Sequence, residues 1–333
     1  MRLGGTLVTT LQKPFRVLSL DGETDPYRIL CLDGGGAKGF YSLGVLREIE
    51  GMLGCALHER FDLIYGTSTG SIIAALLALG KSVSEIHGLY EAHVPVVMKN
   101  RTRSGKSKAL SQLANTVFGN QKFDAARTGI GIVATNWLLE KPMIFKNQAS
   151  RAHGSKGTFV AGFGCTISDA VQASCSAYPL FERKTVQTAV VGRVELIDGG
   201  YCANNPTLYA IADAVMALRK SHDTLRVLSV GVGVYPKPSS VLRKIKNDLI
   251  PRYAANIDVE LLQKTLEINT QSMEQLRSVL YGDIRTVRIN EAFSTPEMAT
   301  DFLEHDLTKL NVLRQRGKDS FGKFEPLLKQ LLF

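Results

Sequence analysis

Between residues 28 and 79 the chain twice repeats one pattern of apolar and polar positions. A short apolar run (28–32, then 61–65) reads as a buried strand. Each run ends in a turn containing glycines: Asp33-Gly-Gly-Gly-Ala-Lys-Gly39, then Gly66-Thr-Ser-Thr-Gly70. After the first turn, Leu43, Leu46, Ile49 and Leu53 recur at helical spacing over 40–53. After the second, 68–79 is apolar nearly all round, which predicts a buried helix. Further on, the pattern predicts a helix over 83–93, paired strands at 130–136 and 142–145, and a small-residue helix over 169–177. A strand at 194–197 ending in Asp198-Gly-Gly200, a helix over 206–220 and a strand at 225–230 follow. From 239 onward the pattern is mostly helical, with one late strand at 284–289. Strands alternating with helices predict an α/β fold whose mainly parallel sheet is covered on both faces. No linker rich in Pro, Gly or Ser divides the chain. The expected organisation is an extension over 1–27 and one domain over 28–333, helical from about 239. Residues 16–22 mimic 28–34 but continue as Glu-Thr-Asp-Pro, so they read as a strand or hairpin arm.

Composition narrows this picture. The 333 residues, 44% hydrophobic, suffice for one large core or two modest ones. The longest apolar run, 72–79, is far short of the roughly 20 residues that a membrane span needs. Lys13-Pro14 breaks the early apolar stretch, so no secretory signal is expected. Five cysteines without a C-x-x-C pair read as reduced thiols in a cytoplasm, not as a disulfide framework or a zinc site. The net charge of +9 favours anionic surfaces, either lipid headgroups or nucleotides. Five of the positive charges fall within 99–108, which reads as an acid-free basic loop; Arg101, Arg103, Lys106 and Lys108 are its candidate phosphate or membrane contacts. Such a loop could fold over the rim of a site as a ligand-operated gate. Residues 241–249 place Leu242, Ile245 and Leu249 on one helical face, which suits either a core or a membrane surface.

The chemistry lies at the turns. Gly66-Thr-Ser-Thr-Gly70 fits the G-x-S-x-G elbow, in which flanking glycines relieve a sharp strand-to-helix turn and expose the serine hydroxyl. Taken alone, Ser68 could equally be a helix N-cap. The row Gly34, Gly35, Gly36 lets backbone N–H groups converge on an anion, as an oxyanion hole requires. The same segment matches G-x-G-x-x-G at Gly34, Gly36 and Gly39, which opens a non-catalytic alternative, a dinucleotide-binding module. That pattern wants an acidic residue at the end of the second strand, where this chain has Gly66-Thr-Ser. A serine nucleophile also needs a base. Ser68, Asp198 and His222 imitate the triad order of α/β-hydrolases, yet His222 precedes its strand and would sit at the opposite sheet edge. The alternative is Asp198 acting directly on Ser68.

These residues carry a family resemblance. Asp33-Gly-Gly-Gly-Ala-Lys-Gly, Gly66-Thr-Ser-Thr-Gly and Asp198-Gly-Gly resemble the three signatures of patatin-like phospholipases. Ala134-Thr-Asn with Lys141-Pro-Met-Ile-Phe, Ala173-Ser-Cys-Ser-Ala-Tyr-Pro, Asn204-Asn-Pro and Leu228-Ser-Val-Gly-Val-Gly follow in that family's order, over about 28–235. The resemblance implies a three-layer α/β sandwich and a Ser68–Asp198 dyad with an oxyanion hole at Gly34, Gly35 and Gly36. Asp33, Lys38, Gly39, Gly66, Gly70, Gly199 and Gly200 would be supporting motif residues. It further implies hydrolysis of membrane phospholipid esters with no metal and no cofactor. Lys38 stands where the family usually carries Arg, so a bidentate role there is not implied. The layout is also similar to patatin effectors of bacterial antiphage systems. That likeness implies a cyclic-dinucleotide activator, a homo-oligomer, no nucleic-acid partner, and work at the inner face of the membrane from the cytoplasm.

Overall fold

The apolar run 28–32 is buried on both sides because the sheet it joins is covered on both sides. In the computed structural model, which describes residues 25–236 and 255–333, it forms β1 (Tyr27–Leu32). Leu30 and Leu32 enter one hydrophobic core, while Ile29 and Cys31 enter the other. That split is the signature of a strand between two helical layers.

After β1 come α1 (Gly39–Leu53), α2 (Leu57–Arg60), β2 (Leu63–Thr67), α3 (Thr69–Ala78), α4 (Val83–Lys99) and α5 (Arg103–Phe118). The middle of the chain gives β3 (Gly129–Asn136), β4 (Lys141–Lys146), α6 (Ile167–Ser174), β5 (Lys184–Thr188) and β6 (Gly192–Asp198). Then follow α7 (Gly200–Ala203), α8 (Thr207–Ala212), β7 (Leu225–Val230), α9 (Ala255–Leu280), β8 (Arg285–Ile289) and α10 (Leu307–Leu332). The sheet order is β5-β6-β3-β2-β1-β7-β8, with β4 also paired to β3. The strands β3-β2-β1-β7-β8 are parallel; β4, β6 and β5 form an antiparallel flank. Residues of α1, α3, α4, α5, α6 and α10 build the core on one face. Residues of α7 and α8 build the core on the other, and α9 packs over them. The result is the expected three-layer α/β sandwich.

Four sequence expectations are corrected here. The basic stretch 99–108 is not a loop: Lys99 ends α4 and α5 starts at Arg103. Thr102 caps α5, its Oγ1 accepting from the Gly105 N–H at 3.0 Å. Behind the charges, Ala109, Leu110, Leu113 and Ala114 bury one helical face, and that stripe outweighs the polar composition in front of it. The stretch therefore cannot be a loop gate. Second, β6 reaches the site antiparallel to β3, not along the parallel direction. Third, the helix predicted over 206–220 ends as α8 at Ala212 and passes into a π turn over Asp213–Ala217. Fourth, 83–93 understates α4, which continues through Pro95 to Lys99. The helix expected over 241–249 and the mimic at 16–22 lie outside the described residues.

Candidate active site

The parallel order β2-β1 sets the turns after these two strands side by side at the carboxyl edge of the sheet. At the second turn Ser68 adopts φ 51° and ψ −125°, a left-handed conformation that a non-glycine residue holds only under constraint. The flanking glycines make room for it. A Cβ on Gly66 would run into the Gly70 carbonyl, and one on Gly70 into the carbonyls of Leu32 and Asp33. The Ser68 N–H donates to Ser174 Oγ at 2.9 Å, and Ser174 Oγ donates in turn to the Val133 carbonyl at 2.6 Å. Ser68 does not cap α3 with its side chain. Its hydroxyl instead donates to Asp198 Oδ2 at 2.8 Å.

The register explains the meeting. Thr67 pairs with Val133, and Asp198 pairs with the next residue of β3, Ala134. Ser68 and Asp198 thus flank β3 at the same level, although β6 runs the other way. Asp198 is buried, and Oδ1 accepts from the Gly200 N–H at 2.7 Å. Burial pushes its carboxyl up to about 7, against the pull of the Gly200 and Ser68 donors. A carboxylate poised there suits proton exchange near neutrality. A Cβ on Gly199 would strike the Val133 carbonyl, so the residue after Asp198 must be small. His222 lies before β7, at the opposite edge, with Nδ1 2.7 Å from Asp283 Oδ2.

The glycine row departs from expectation at one position. The Gly34 N–H donates to the Asn204 carbonyl at 2.9 Å, so it is not available to an oxyanion. The Gly35 and Gly36 N–H groups have no hydrogen-bond partner among the described residues. Gly36 sits at φ 57° as the first residue of the 3-10 turn Gly36–Lys38 that leads into α1. A Cβ on Gly34 would collide with Asn204 and crowd Ser68, which brings this row against the nucleophile. Asp33 is held by β8: Arg288 grips it with Nη1–Oδ1 at 3.2 Å and Nη2–Oδ2 at 2.6 Å. Gly39 admits Thr69 Oγ1 and the Tyr90 ring where a side chain would sit. Lys38 is buried, and its Nζ donates to Glu267 of α9 at 3.3 Å.

Helix α9 fastens the whole arrangement. Asn204 Nδ2 donates to the Gly34 carbonyl at 3.2 Å and to Thr270 Oγ1 at 2.7 Å, and the Asn204 N–H donates to Asn269 Oδ1 at 2.8 Å. Glu274, also on α9, accepts from Asn205 Nδ2 at 3.2 Å and lies 3.6 Å from Arg288. Arg288, Glu267, Asn269 and Thr270 carry no motif of their own, and Ser174 and Asn204 entered only through the resemblance. Asn204→Ala removes both amide bonds and leaves the buried Gly34 carbonyl unsatisfied, which costs about 1–3 kcal/mol. The expected result is a kcat lower by about tenfold with KM little changed, because the loop then presents its donors less well to the developing charge. Steady-state kinetics on a soluble short-chain ester check this.

Ser68, Asp198 and the glycine row open on a cavity of about 690 Å³. Ile72, Val97, Leu110, Leu113 and Phe181 give it an apolar wall, while Lys38, Gln263, Glu267 and Gln271 supply a polar side. Of the basic candidates, Lys106 is buried and its ammonium binds the Met98 and Asn100 carbonyls, so it contacts no phosphate. Arg103 donates from Nε to the Pro179 carbonyl at 2.7 Å, and Arg101 and Lys108 are exposed.

A profile described as patatin-like phospholipase matches residues 30–211. A cUMP-AMP-activated phospholipase of Escherichia coli is 59% identical over 320 residues, covering 96% of this chain and 98% of that protein. A cGAMP-activated phospholipase of Escherichia coli strain TW11681 is 27% identical over 227 residues, 61% of each. Among solved structures, VipD from Legionella pneumophila aligns with a TM-score of 0.45 and 13% identity, over 92% of this chain and 67% of that one. The matched stretch spans more than half of the sequence and contains the glycine row, the serine elbow and Asp198 together, and the chain belongs to the patatin-like phospholipase family.

Proposed function

We propose that the protein hydrolyses ester bonds of membrane phospholipids through Ser68 and Asp198, and that a cyclic dinucleotide switches it on. The observation that carries the chemistry is the 2.8 Å Ser68–Asp198 hydrogen bond beside the unpartnered Gly35 and Gly36 N–H groups. Ser68 Oγ attacks the ester carbonyl carbon as its proton passes to Asp198. The carbonyl oxygen gains the negative charge, which Gly35 and Gly36 stabilise; one such donor contributes about 3 kcal/mol. The tetrahedral adduct collapses, the carbon–oxygen ester bond breaks, and Asp198 returns its proton to the departing alcohol. Water, deprotonated by Asp198, then attacks the acyl carbon; the bond to Ser68 Oγ breaks, Asp198 returns the proton to that oxygen, and the acyl group departs as a fatty acid. The apolar wall from Ile72 to Phe181 suits an acyl chain, and the side bearing Lys38 suits a phosphate headgroup.

Nucleotide control rests on the names of the two Escherichia coli relatives, and the higher identity favours cUMP-AMP over cGAMP. No helix of the described residues is long and apolar enough to cross a membrane; the reading takes attachment at the bilayer surface as the route to substrate. The test measures fatty acid release from phosphatidylethanolamine–phosphatidylglycerol vesicles with cUMP-AMP, with cGAMP and with neither. An increase of about tenfold or more with cUMP-AMP is expected, which requires the nucleotide to favour the active state by a similar factor. Equal release without nucleotide would mean a constitutive lipase, and no release under any condition would overturn the hydrolase reading.

A further inference from the structure

The hairpin joining β3 to β4 carries Trp137-Leu138-Leu139-Glu140 at its tip. Turns of this kind are ordinarily polar, yet here Leu138 is 75%, Leu139 56% and Trp137 37% exposed. The tip is a built feature. Asn136 Oδ1 accepts from the Leu139 N–H at 3.0 Å, closing the turn beneath the two leucines. Its position follows from the register: Val133 lies opposite Thr67, just before the nucleophile, and β3 continues from there past the carboxyl edge.

Behind the leucines stands an aromatic and cationic stack. The Trp137 and Tyr178 rings are 5.6 Å apart. The Arg183 guanidinium lies 4.9 Å over Trp137 and 5.6 Å over Tyr178, and that of Arg103 lies 4.9 Å over Tyr178. Tyr178 sits between Ala177 and Phe181, both of which line the catalytic cavity. The stack is therefore the outer side of the cavity wall. Arg183 is paired with Glu195 at 3.2 Å. Arg103 and Lys141 have no ion-pair partner among the described residues.

We infer that this tip anchors the enzyme on a phospholipid bilayer: Trp137, Leu138 and Leu139 enter the boundary between headgroups and acyl chains, and Arg103 and Lys141 meet lipid phosphates. The inference rests on the phospholipid reading of the cavity, and it supplies the surface through which that cavity reaches its substrate. Tryptophan is favoured at this depth because its ring is apolar and its N–H polar. Two leucines held out in water gain by burial there, and Arg103, stacked on Tyr178 and bound through Nε to the Pro179 carbonyl, still has its two Nη groups to offer to phosphate. A bilayer suits the mixture of apolar tip and basic flank better than an apolar protein partner, which would leave the cations unpaired.

The test compares wild type, Leu138→Ser/Leu139→Ser and Arg103→Gln/Lys141→Gln in co-sedimentation with phosphatidylethanolamine–phosphatidylglycerol vesicles. The leucine variant is expected to lose about tenfold in vesicle binding and in vesicle hydrolysis, with turnover of a soluble short-chain ester unchanged. The Arg/Lys variant is expected to bind less than wild type, by a margin that widens as the phosphatidylglycerol fraction rises and closes as added salt screens the charges. Wild-type binding by the leucine variant overturns the anchor. So does a self-association, seen by sedimentation, that the leucine substitutions abolish while vesicle binding stays intact. Ser68→Ala should bind vesicles as wild type does. A wild-type protein that binds vesicles but releases no fatty acid with cUMP-AMP or cGAMP present would therefore count against the hydrolase reading and leave the anchor standing.

Discussion

Ser68→Ala should lower turnover by roughly four to six orders of magnitude, the scale expected when a nucleophile acting as a unit with its base is removed. The variant still folds, because the site is shaped by neighbours that do not depend on the hydroxyl: Gly66, Gly70 and the Ser174 bond to the Ser68 N–H. Alanine nevertheless inherits φ 51° without the hydrogen bond to Asp198. Ser68→Gly is equally inactive but relieves that backbone, which is worth about 1–2 kcal/mol at such a position. The expected order of thermal stability is therefore glycine above alanine, with both inactive on a soluble ester. Turnover retained by the alanine variant would place the nucleophile elsewhere. An alanine variant as stable as the glycine one would mean that the elbow stores no strain.

Both turns were legible in the sequence because each is local: an apolar run, glycines, then a helical stripe, over 28–53 and over 61–79. The second partner of the serine was legible as a residue but not as a geometry. Asp198 reaches Ser68 through the pairing of Ala134 with Asp198, and register across strands leaves no mark in either strand alone. Arg288 is 255 residues from Asp33, and no local pattern announces a bidentate grip formed at that separation. The stretch 99–108 misled because Gly, Ser and charge dominate its composition, while the apolar stripe that makes it a helix lies mostly beyond Lys108. Gly34 misled for a different reason. A row of glycines shows where N–H groups can converge, not which of them the fold has already paired, and Asn204 takes the first.

Activity should rise with pH through about 7, because Asp198 accepts the serine proton only when ionised and burial holds its carboxyl near that value. For a single ionisation kcat/KM falls about tenfold for each pH unit below that point. Asp198→Asn cannot take the proton, so its turnover on a soluble ester should fall as far as that of Ser68→Ala. Its stability should move the other way. An aspartate titrates near 3.8 ordinarily and near 7 here, so the folded state holds a proton that the unfolded state releases between those values. The stabilisation this gives is complete below about pH 3.8 and is lost as pH rises to about 7. Above that the ionised, buried carboxylate weighs on the fold by about 4 kcal/mol, at the usual conversion of a pKa shift. Asparagine keeps an acceptor for Gly200 and carries no charge at any pH. The variant should therefore melt well above wild type at pH 8, with the gap shrinking as pH is lowered toward 5. His222→Ala, altering a half-buried residue at the opposite sheet edge, should change neither the pH profile nor the turnover. An inactive His222→Ala, or a flat wild-type profile between pH 6 and 8, would mean that a group other than Asp198 takes the proton.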